Sequence, residues 1–244
     1  MKIACIGDVH ANLPALEAVL EHADRHGAGS IWNVGDFVGY NAFPDQVVHL
    51  LRERGAFSIL GNYDRKTLKA EKKKEKWQQT KTPKKALAFQ WAYEHLSDES
   101  RAYLASLPKQ QRLHALGHSV LLVHGSPADP DEYLTPDTPL ERFTELAGIA
   151  AADLVLCGHS HLPFVRKVAG VTFVNTGSVG RPDDGDPRAC YALLSLEPGW
   201  MEVVHHRVSY DVQRAAAAIR AEGLPESFAQ MIIAGRDLSA VDKK

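Results

Sequence analysis

Apolar and polar positions alternate in blocks along the first sixty residues. Three short apolar runs, Ile3–Ile6, Ser30–Val34 and Ala56–Leu60, each end in a glycine followed by an acid or an amide: Gly7-Asp8, Gly35-Asp36 and Gly61-Asn62. Between the first two runs, Leu13, Leu16, Val19, Leu20 and Ala23 recur at helical spacing within Leu13–His26. Pro44 opens a second helix through Leu51, because a missing N–H costs little in a first turn. Strand, polar loop, helix, strand is the βαβ rhythm, and it predicts an α/β fold with a largely parallel first sheet.

The pattern changes further on. Residues 65–85 hold ten Lys or Arg against two Glu. They read as a solvated helical excursion, or alternatively as a basic lid that attracts a polyanion. A helical pattern covers Ala86–Leu107. Residues 112–115 and 119–123 form a hairpin pattern, Leu140–Ala150 a helix and Asp153–Cys157 a strand. Pro163–Val168 with Val171–Asn175, and Arg188–Leu196 with Trp200–Val208, read as antiparallel pairs. Asp211 caps a helix through Arg220, and Pro225–Ile233 is a last short helix. The organisation predicted is one domain over residues 1–244, with a Lys-rich excursion at about 65–85 and a helical segment from about 210 that packs on the sheet or mediates a homodimer.

Composition narrows the function classes. The chain has 244 residues with 45% hydrophobic and 24% charged, ordinary for a globular protein. A net charge of −2 disfavours a nucleic-acid binder. The apolar runs are far shorter than the ~20 residues of a membrane helix, and the start turns acidic too early for a secretory signal. Cys5, Cys157 and Cys190 sit in apolar stretches and read as buried thiols. A cytoplasmic location is expected.

The twelve histidines matter more. Just beyond the apolar runs stand Asp8, His10, Asp36, Asn62, His124, His159 and His161. One ion takes four to six ligands, so seven donors suggest two ions sharing one carboxylate, with Asp36 the natural bridge. Mixed imidazole and carboxylate donors suit Mn, Fe, Co, Ni or Zn better than Ca or Mg. Two such ions clamp a phosphorus centre for in-line displacement by a bridging hydroxide. Asp8/His10 and His159/His161 are spaced i, i+2, which puts both members on one side of an extended chain. The pairs His22/His26 and His205/His206 lie in helix and strand patterns and read as surface or structural. Asn12 reads as a helix cap.

The motifs GDVH (7–10), GDFVG (35–39), GNYD (61–64), HG (124–125) and GHSH (158–161), with the segment NTGSVGRPDDGDPRACYALL, resemble the calcineurin-like metallophosphoesterase superfamily, and most of all its small bacterial and archaeal phosphodiesterase-like members. The resemblance implies a four-layer α/β/β/α sandwich of two mixed sheets. It places Asp8, His10 and His161 on a first ion, Asn62, His124 and His159 on a second, and Asp36 between them. Asp36, Asn62, Tyr63 and Asp64 form the catalytic set, and Arg65 and Arg181 are candidates for substrate contact, because Arg matches phosphate oxygens bidentately. The family commonly has histidine where this chain has Tyr63, a departure that makes general-acid help to the leaving group doubtful and favours esters with good leaving groups.

The function expected is therefore a dinuclear phosphoesterase acting on phosphodiesters or nucleotides. Phosphomonoesters, phosphoproteins and dinucleoside polyphosphates are the alternatives, and a protein-binding scaffold of the same fold is the non-enzymatic one.

Overall fold

The computed structural model describes residues 1–242. Ten strands and ten helices follow one another among the described residues. The first sheet has the order β10-β9-β1-β2-β3, built from β1 (Lys2–Ile6), β2 (Ser30–Asn33), β3 (Phe57–Ser58), β9 (Ala189–Glu197) and β10 (Trp200–Val208). β1, β2 and β3 are parallel, and β9 and β10 add antiparallel partners at one side. The second sheet has the order β4-β5-β6-β8-β7, from β4 (Gln110–Ala115), β5 (His118–Val123), β6 (Leu154–Cys157), β7 (Phe164–Val168) and β8 (Val171–Asn175). Here β5, β6 and β8 are parallel, and β4 and β7 are antiparallel edges. Both sheets are mixed, as expected.

Alternation along the strands makes the layers. Ile3 and Cys5 point to the same apolar cluster as Val120, Leu122, Leu154, Leu156 and Val174, which is the seam between the sheets. Ala4 and Ile6 point the other way, against Leu16, Val19 and Leu20 of α1 (Leu13–Arg25) and Val47, Val48 and Leu51 of α2 (Pro44–Glu53). On the far side, Leu121, Val123, Val155, Cys157 and Phe173 meet Phe143 and Leu146 of α7 (Leu140–Ala150). Helix, sheet, sheet, helix is the order of layers. The three cysteines are buried and unpaired, and burial pushes their thiols well up from the ordinary value.

Two details differ from the periodicity. The single helix expected over 86–107 is broken into α5 (Pro83–Glu94) and α6 (Asp98–Ser106). Ser97 causes the break, because its side chain accepts from Ser100 N at 3.1 Å and caps α6. The Lys-rich stretch is ordered helix: α3 (Asn62–Thr67) is followed by α4 (Ala70–Thr80), which packs on α5. Trp77 anchors it, buried with Ala70 against Phe89, while its lysines stay in water. Residues after 210 form α8 (Val212–Ala221), α9 (Glu226–Ala234) and α10 (Leu238–Val241). Their apolar face packs with Tyr40, Tyr63 and Ala88, so this segment is a wall beside the strand ends. Asp211 caps α8 by accepting from Arg214 N at 2.8 Å. Asn12 caps α1 through Ala15 N at 3.3 Å and also donates to Gly180 O at 3.0 Å. Among the described residues no helix is long and apolar enough to cross a membrane.

Candidate metal centre

Each of the seven predicted donors sits just past a strand or at the first turn of a helix, at the carboxyl ends of the parallel strands, where α/β sheets build their sites. All seven are buried. Five of them, Asp8, His10, Asp36, His159 and His161, have left-handed backbone, and they are half of the ten such non-glycine residues described. That conformation costs an L-residue about 1–3 kcal/mol and persists only where surrounding structure imposes it. The segments carrying Asp8/His10 and His159/His161 are therefore not the extended chain that the i, i+2 spacing predicts, and left-handed turns bring each pair to the centre instead. Close packing leaves no room beside them: a Cβ on Gly61 would stand 2.1 Å from the amide nitrogen and Oδ1 of Asp36, and one on Gly158 2.5 Å from Asp8 Oδ2.

Five of the donors fall into two groups that share Asp8, namely Asp8/His10/His161 and Asp8/Asp36/His124, and within each group the ligand atoms lie within 4.8 Å of one another; Asn62 and His159 belong to neither. His161 Nε2 is 3.2 Å from Asp8 Oδ1 and 3.2 Å from His10 Nε2. Asp36 Oδ2 is 3.8 Å from His10 Nε2 and 3.4 Å from His124 Nε2, so it faces a histidine of each group. The other oxygens of the two acids are fixed by the backbone. Asp8 Oδ2 accepts from His159 N at 2.9 Å and Asp36 Oδ1 from Tyr63 N at 2.7 Å. Four inward-facing atoms, Asp8 Oδ1, Asp36 Oδ2, Asn62 Oδ1 and His124 Nε2, are buried with no hydrogen-bond partner. Buried polar atoms are normally paired, so this donor set fits divalent cations.

The histidines are held from behind. His124 Nδ1 donates to Val34 O at 2.9 Å, and His10 Nδ1 lies 3.3 Å from Val38 O. A carbonyl can only accept, so in both rings Nδ1 carries a proton and Nε2 is the nitrogen left to face the centre. His161 Nδ1 meets Asp183 Oδ2 at 2.9 Å, a carboxylate–histidine pair of the same kind. His159 differs: its Nε2 bonds Asp131 O at 3.1 Å, so Nδ1 is the nitrogen without a backbone partner. Asn62 donates Nδ2 to Asp131 Oδ1 at 3.1 Å, which turns its carbonyl oxygen inward.

Electrostatics pair the groups. Burial alone would raise Asp8 and Asp36, but the neighbouring charges of His161 and His124 outweigh it and hold both carboxyls below the usual range. Burial would lower the same two imidazoles, yet Asp36 pushes His124 up to about 9 and Asp8 pushes His161 up to about 9. His10 and His159 are pushed down, chiefly by burial, to about 3 and about 4.

Beside the centre lies a cavity of about 560 Å³ lined by Tyr40, Tyr63, Tyr133, Arg181, Lys84 and Lys85. Tyr63 OH is 2.7 Å from Tyr40 OH, and its ring packs edge-on against His10 at 5.0 Å. Burial, with Tyr40 beside it, pushes the Tyr63 phenol well above its ordinary value, so it serves as a neutral hydrogen-bonding group. The guanidinium of Arg181 stacks 4.7 Å over Tyr40 and pairs with Asp183 at 3.0 Å.

Two predicted residues have other tasks. Asp64, placed in the catalytic set, accepts from the backbone nitrogens of Asp36, Phe37, Val38 and Gly61 at 2.9–3.2 Å. Its carboxylate is saturated by the loops it ties together, which makes it a positioning residue. Arg65 pairs with Asp131 at 2.6 Å, and it is not among the residues lining the cavity. Sequence reasoning missed Tyr40, Asp131, Tyr133 and Asp183. Tyr40 directly follows the second motif and Asp183 lies in the GRPDD segment, so proximity to the motifs was the available signal. Asp131 and Tyr133 lie in a Pro/Asp-rich loop with no motif.

A model of the calcineurin-like phosphoesterase superfamily domain matches residues 1–199. The uncharacterized protein MJ0912 of Methanocaldococcus jannaschii is 33% identical over 253 aligned positions, covering 96% of this chain and 98% of its own. The crystal structure of a metallophosphoesterase from Sphaerobacter thermophilus is 34% identical, with a TM-score of 0.78 over 96% of this chain and 99% of that one. Hypothetical protein PH1004 from Pyrococcus horikoshii has the same fold, with a TM-score of 0.86 at 21% identity over 96% of this chain and 98% of its own.

Proposed function

The chain belongs to the calcineurin-like phosphoesterase superfamily and is a hydrolase of phosphoester bonds; from that premise we propose that it cleaves phosphodiester or nucleotide-type substrates at a dinuclear metal centre. The observation that carries the dinuclear reading is the four buried donor atoms left without hydrogen bonds. Asp8, His10 and His161 would hold one divalent cation, Asn62, His124 and His159 the other, and Asp36 would reach both. Bound there, the cations would neutralise phosphate charge and supply a hydroxide nucleophile at neutral pH.

The protein's own residues set the rest. Asp183, Val34, Val38 and Asp131 fix the imidazoles, and Asp64 fixes the loop that presents Asp36. Arg181 is held rigid by Tyr40 and Asp183 at the cavity wall, where it can meet a phosphate oxygen. Tyr40, Tyr63 and Tyr133 give the cavity aromatic surface for a base or aryl group, and its volume is in the range of small-molecule sites. Tyr63 lies where the family commonly has histidine and shares its hydroxyl with Tyr40, an arrangement that favours substrates whose leaving group departs without a proton. Lys85 at the cavity, beside a Lys84 that is paired with Asp242, favours a second reading, a dinucleoside polyphosphate whose further phosphates it would meet.

The test is elemental analysis of the purified protein, paired with hydrolysis of bis-p-nitrophenyl phosphate and p-nitrophenyl phosphate after addition of Mn. At least two metals per chain with the diester cleaved faster are expected. A faster monoester would overturn the substrate reading, and a single metal at full activity would overturn the dinuclear one.

A further inference from the structure

Away from the centre just described, and sharing no residue with it, three histidines meet on the outer face of the first sheet. His22 and His26 lie one turn apart near the end of α1, and His206 reaches them from β10. The rings of His22 and His26 stack at 4.1 Å, and His206 lies 5.0 Å from each. One ring nitrogen from each falls within 4.8 Å of the others. We propose that His22, His26 and His206 form a second, independent site for a divalent transition-metal ion of the zinc or copper type.

The chemistry of the three rings supports it. His26 Nδ1 is 2.8 Å from His22 O. That carbonyl can only accept, so His26 carries its proton on Nδ1 and keeps the Nε2 lone pair. His22 Nδ1 is 2.9 Å from the hydroxyl of Tyr191. Tyr191 is fully buried, and its ring also stacks on His206 at 5.3 Å. One buried tyrosine therefore backs two of the three ligands, the kind of support that orients imidazoles at metal sites. Arg25 stands beside the cluster in the last turn of the same helix. Arg25 is itself paired with Glu21 at 2.7 Å.

Nitrogens around a tetrahedral zinc at about 2.1 Å lie about 3.4 Å apart. Side-chain rotation must close the remaining gap, and His26 is exposed while His22 and His206 are only half-buried, so the rings have room to turn. Three imidazole ligands leave a fourth position for water or an anion and select zinc or copper over calcium or magnesium.

The experiment compares chelator-stripped full-length protein with His26→Gln and His206→Gln, titrated with zinc chloride and assayed by elemental mass spectrometry. Each variant is expected to bind one zinc fewer than the unaltered chain, whatever the content of the other centre. Hydrolysis of bis-p-nitrophenyl phosphate with Mn should be unchanged. Tyr191→Phe should keep the site but weaken it about tenfold. Cobalt(II) titration adds a spectroscopic readout, in which one binding step and its share of the visible absorption are lost in His206→Gln. Equal zinc stoichiometry and affinity in all chains that melt alike without metal would overturn the proposal, as would binding only at millimolar zinc.

Discussion

Asp36 Oδ2 and His124 Nε2 face each other at 3.4 Å, both fully buried and neither in a hydrogen bond. One atom comes from the loop after β2 and the other from the loop after β5, so the two sheets meet in this pair. Replacing Asp36 by Asn keeps the shape and removes the charge. Metal content should fall, and kcat on bis-p-nitrophenyl phosphate should drop at least about a hundredfold, in keeping with the several kcal/mol a metal site supplies. Elemental analysis and steady-state rates check both.

Gly61→Ala tests the close packing behind Asp36. The added Cβ would stand 2.1 Å from Asp36 N and Oδ1. Backbone and ligand must both shift, at a cost of about 2 kcal/mol or more. A lowered melting temperature with lost metal is expected. A variant with unchanged Tm and metal content would show that the loop relaxes freely.

Tyr63→Phe separates binding from proton donation. The hydroxyl meets Tyr40 OH at 2.7 Å in the cavity wall. With p-nitrophenolate as leaving group, kcat should stay within about twofold while KM rises a few-fold, the effect of one neutral hydrogen bond. A large kcat loss confined to alkyl esters would give Tyr63 the proton-donating role that its position argues against.

Asp45 supplies a pH dependence away from the metal donors. It accepts from Ser97 N at 2.9 Å and Ser97 Oγ at 2.8 Å and so joins α2 to the start of α6. Burial pulls its carboxyl up, but the nearby Ser100 hydroxyl and the two hydrogen bonds from Ser97 outweigh it and leave it below the ordinary value. Its contribution to stability is thus present above an unfolded pKa of about 3.9 and lost as pH falls below that. Asp45→Asn should cost about 1 kcal/mol at pH 7. The gap between the two unfolding curves should narrow below about pH 4, and a gap constant down to pH 2.5 would contradict the charge argument.

Trp77→Ala should detach α4. Truncating a buried Trp costs about 3–5 kcal/mol, and Trp77 is the large anchor of this Lys-rich helix. Trypsin should then cleave at Lys72–Lys76 while β-sheet circular dichroism persists.

Much of this was legible in the sequence. The strand-Gly-Asp rhythm located the three loops that carry Asp8, His10, Asp36 and Asn62, and His124, His159 and His161 stood out just past later apolar runs; all seven are buried. What the sequence concealed depends on long-range contact. Asp131 and Asp183 orient ligands that are 28 and 22 residues away in sequence, His159 and His161. Asp64 stands inside a motif, yet only the fold reveals that backbone amides consume both its oxygens. The break at Ser97 was local and readable, and helical periodicity on both sides masked it. His22 and His206 are brought together by the way α1 crosses β10, which no spacing encodes.

The donor set straddles the α4–α5 helices. Asp8, His10, Asp36 and Asn62 precede them in the chain, and His124, His159 and His161 follow. A cut within α4 would therefore leave two pieces, neither owning either complete set of ligands. Ions would turn such fragments into a complementation pair, reassembling through the seam only when metal is supplied.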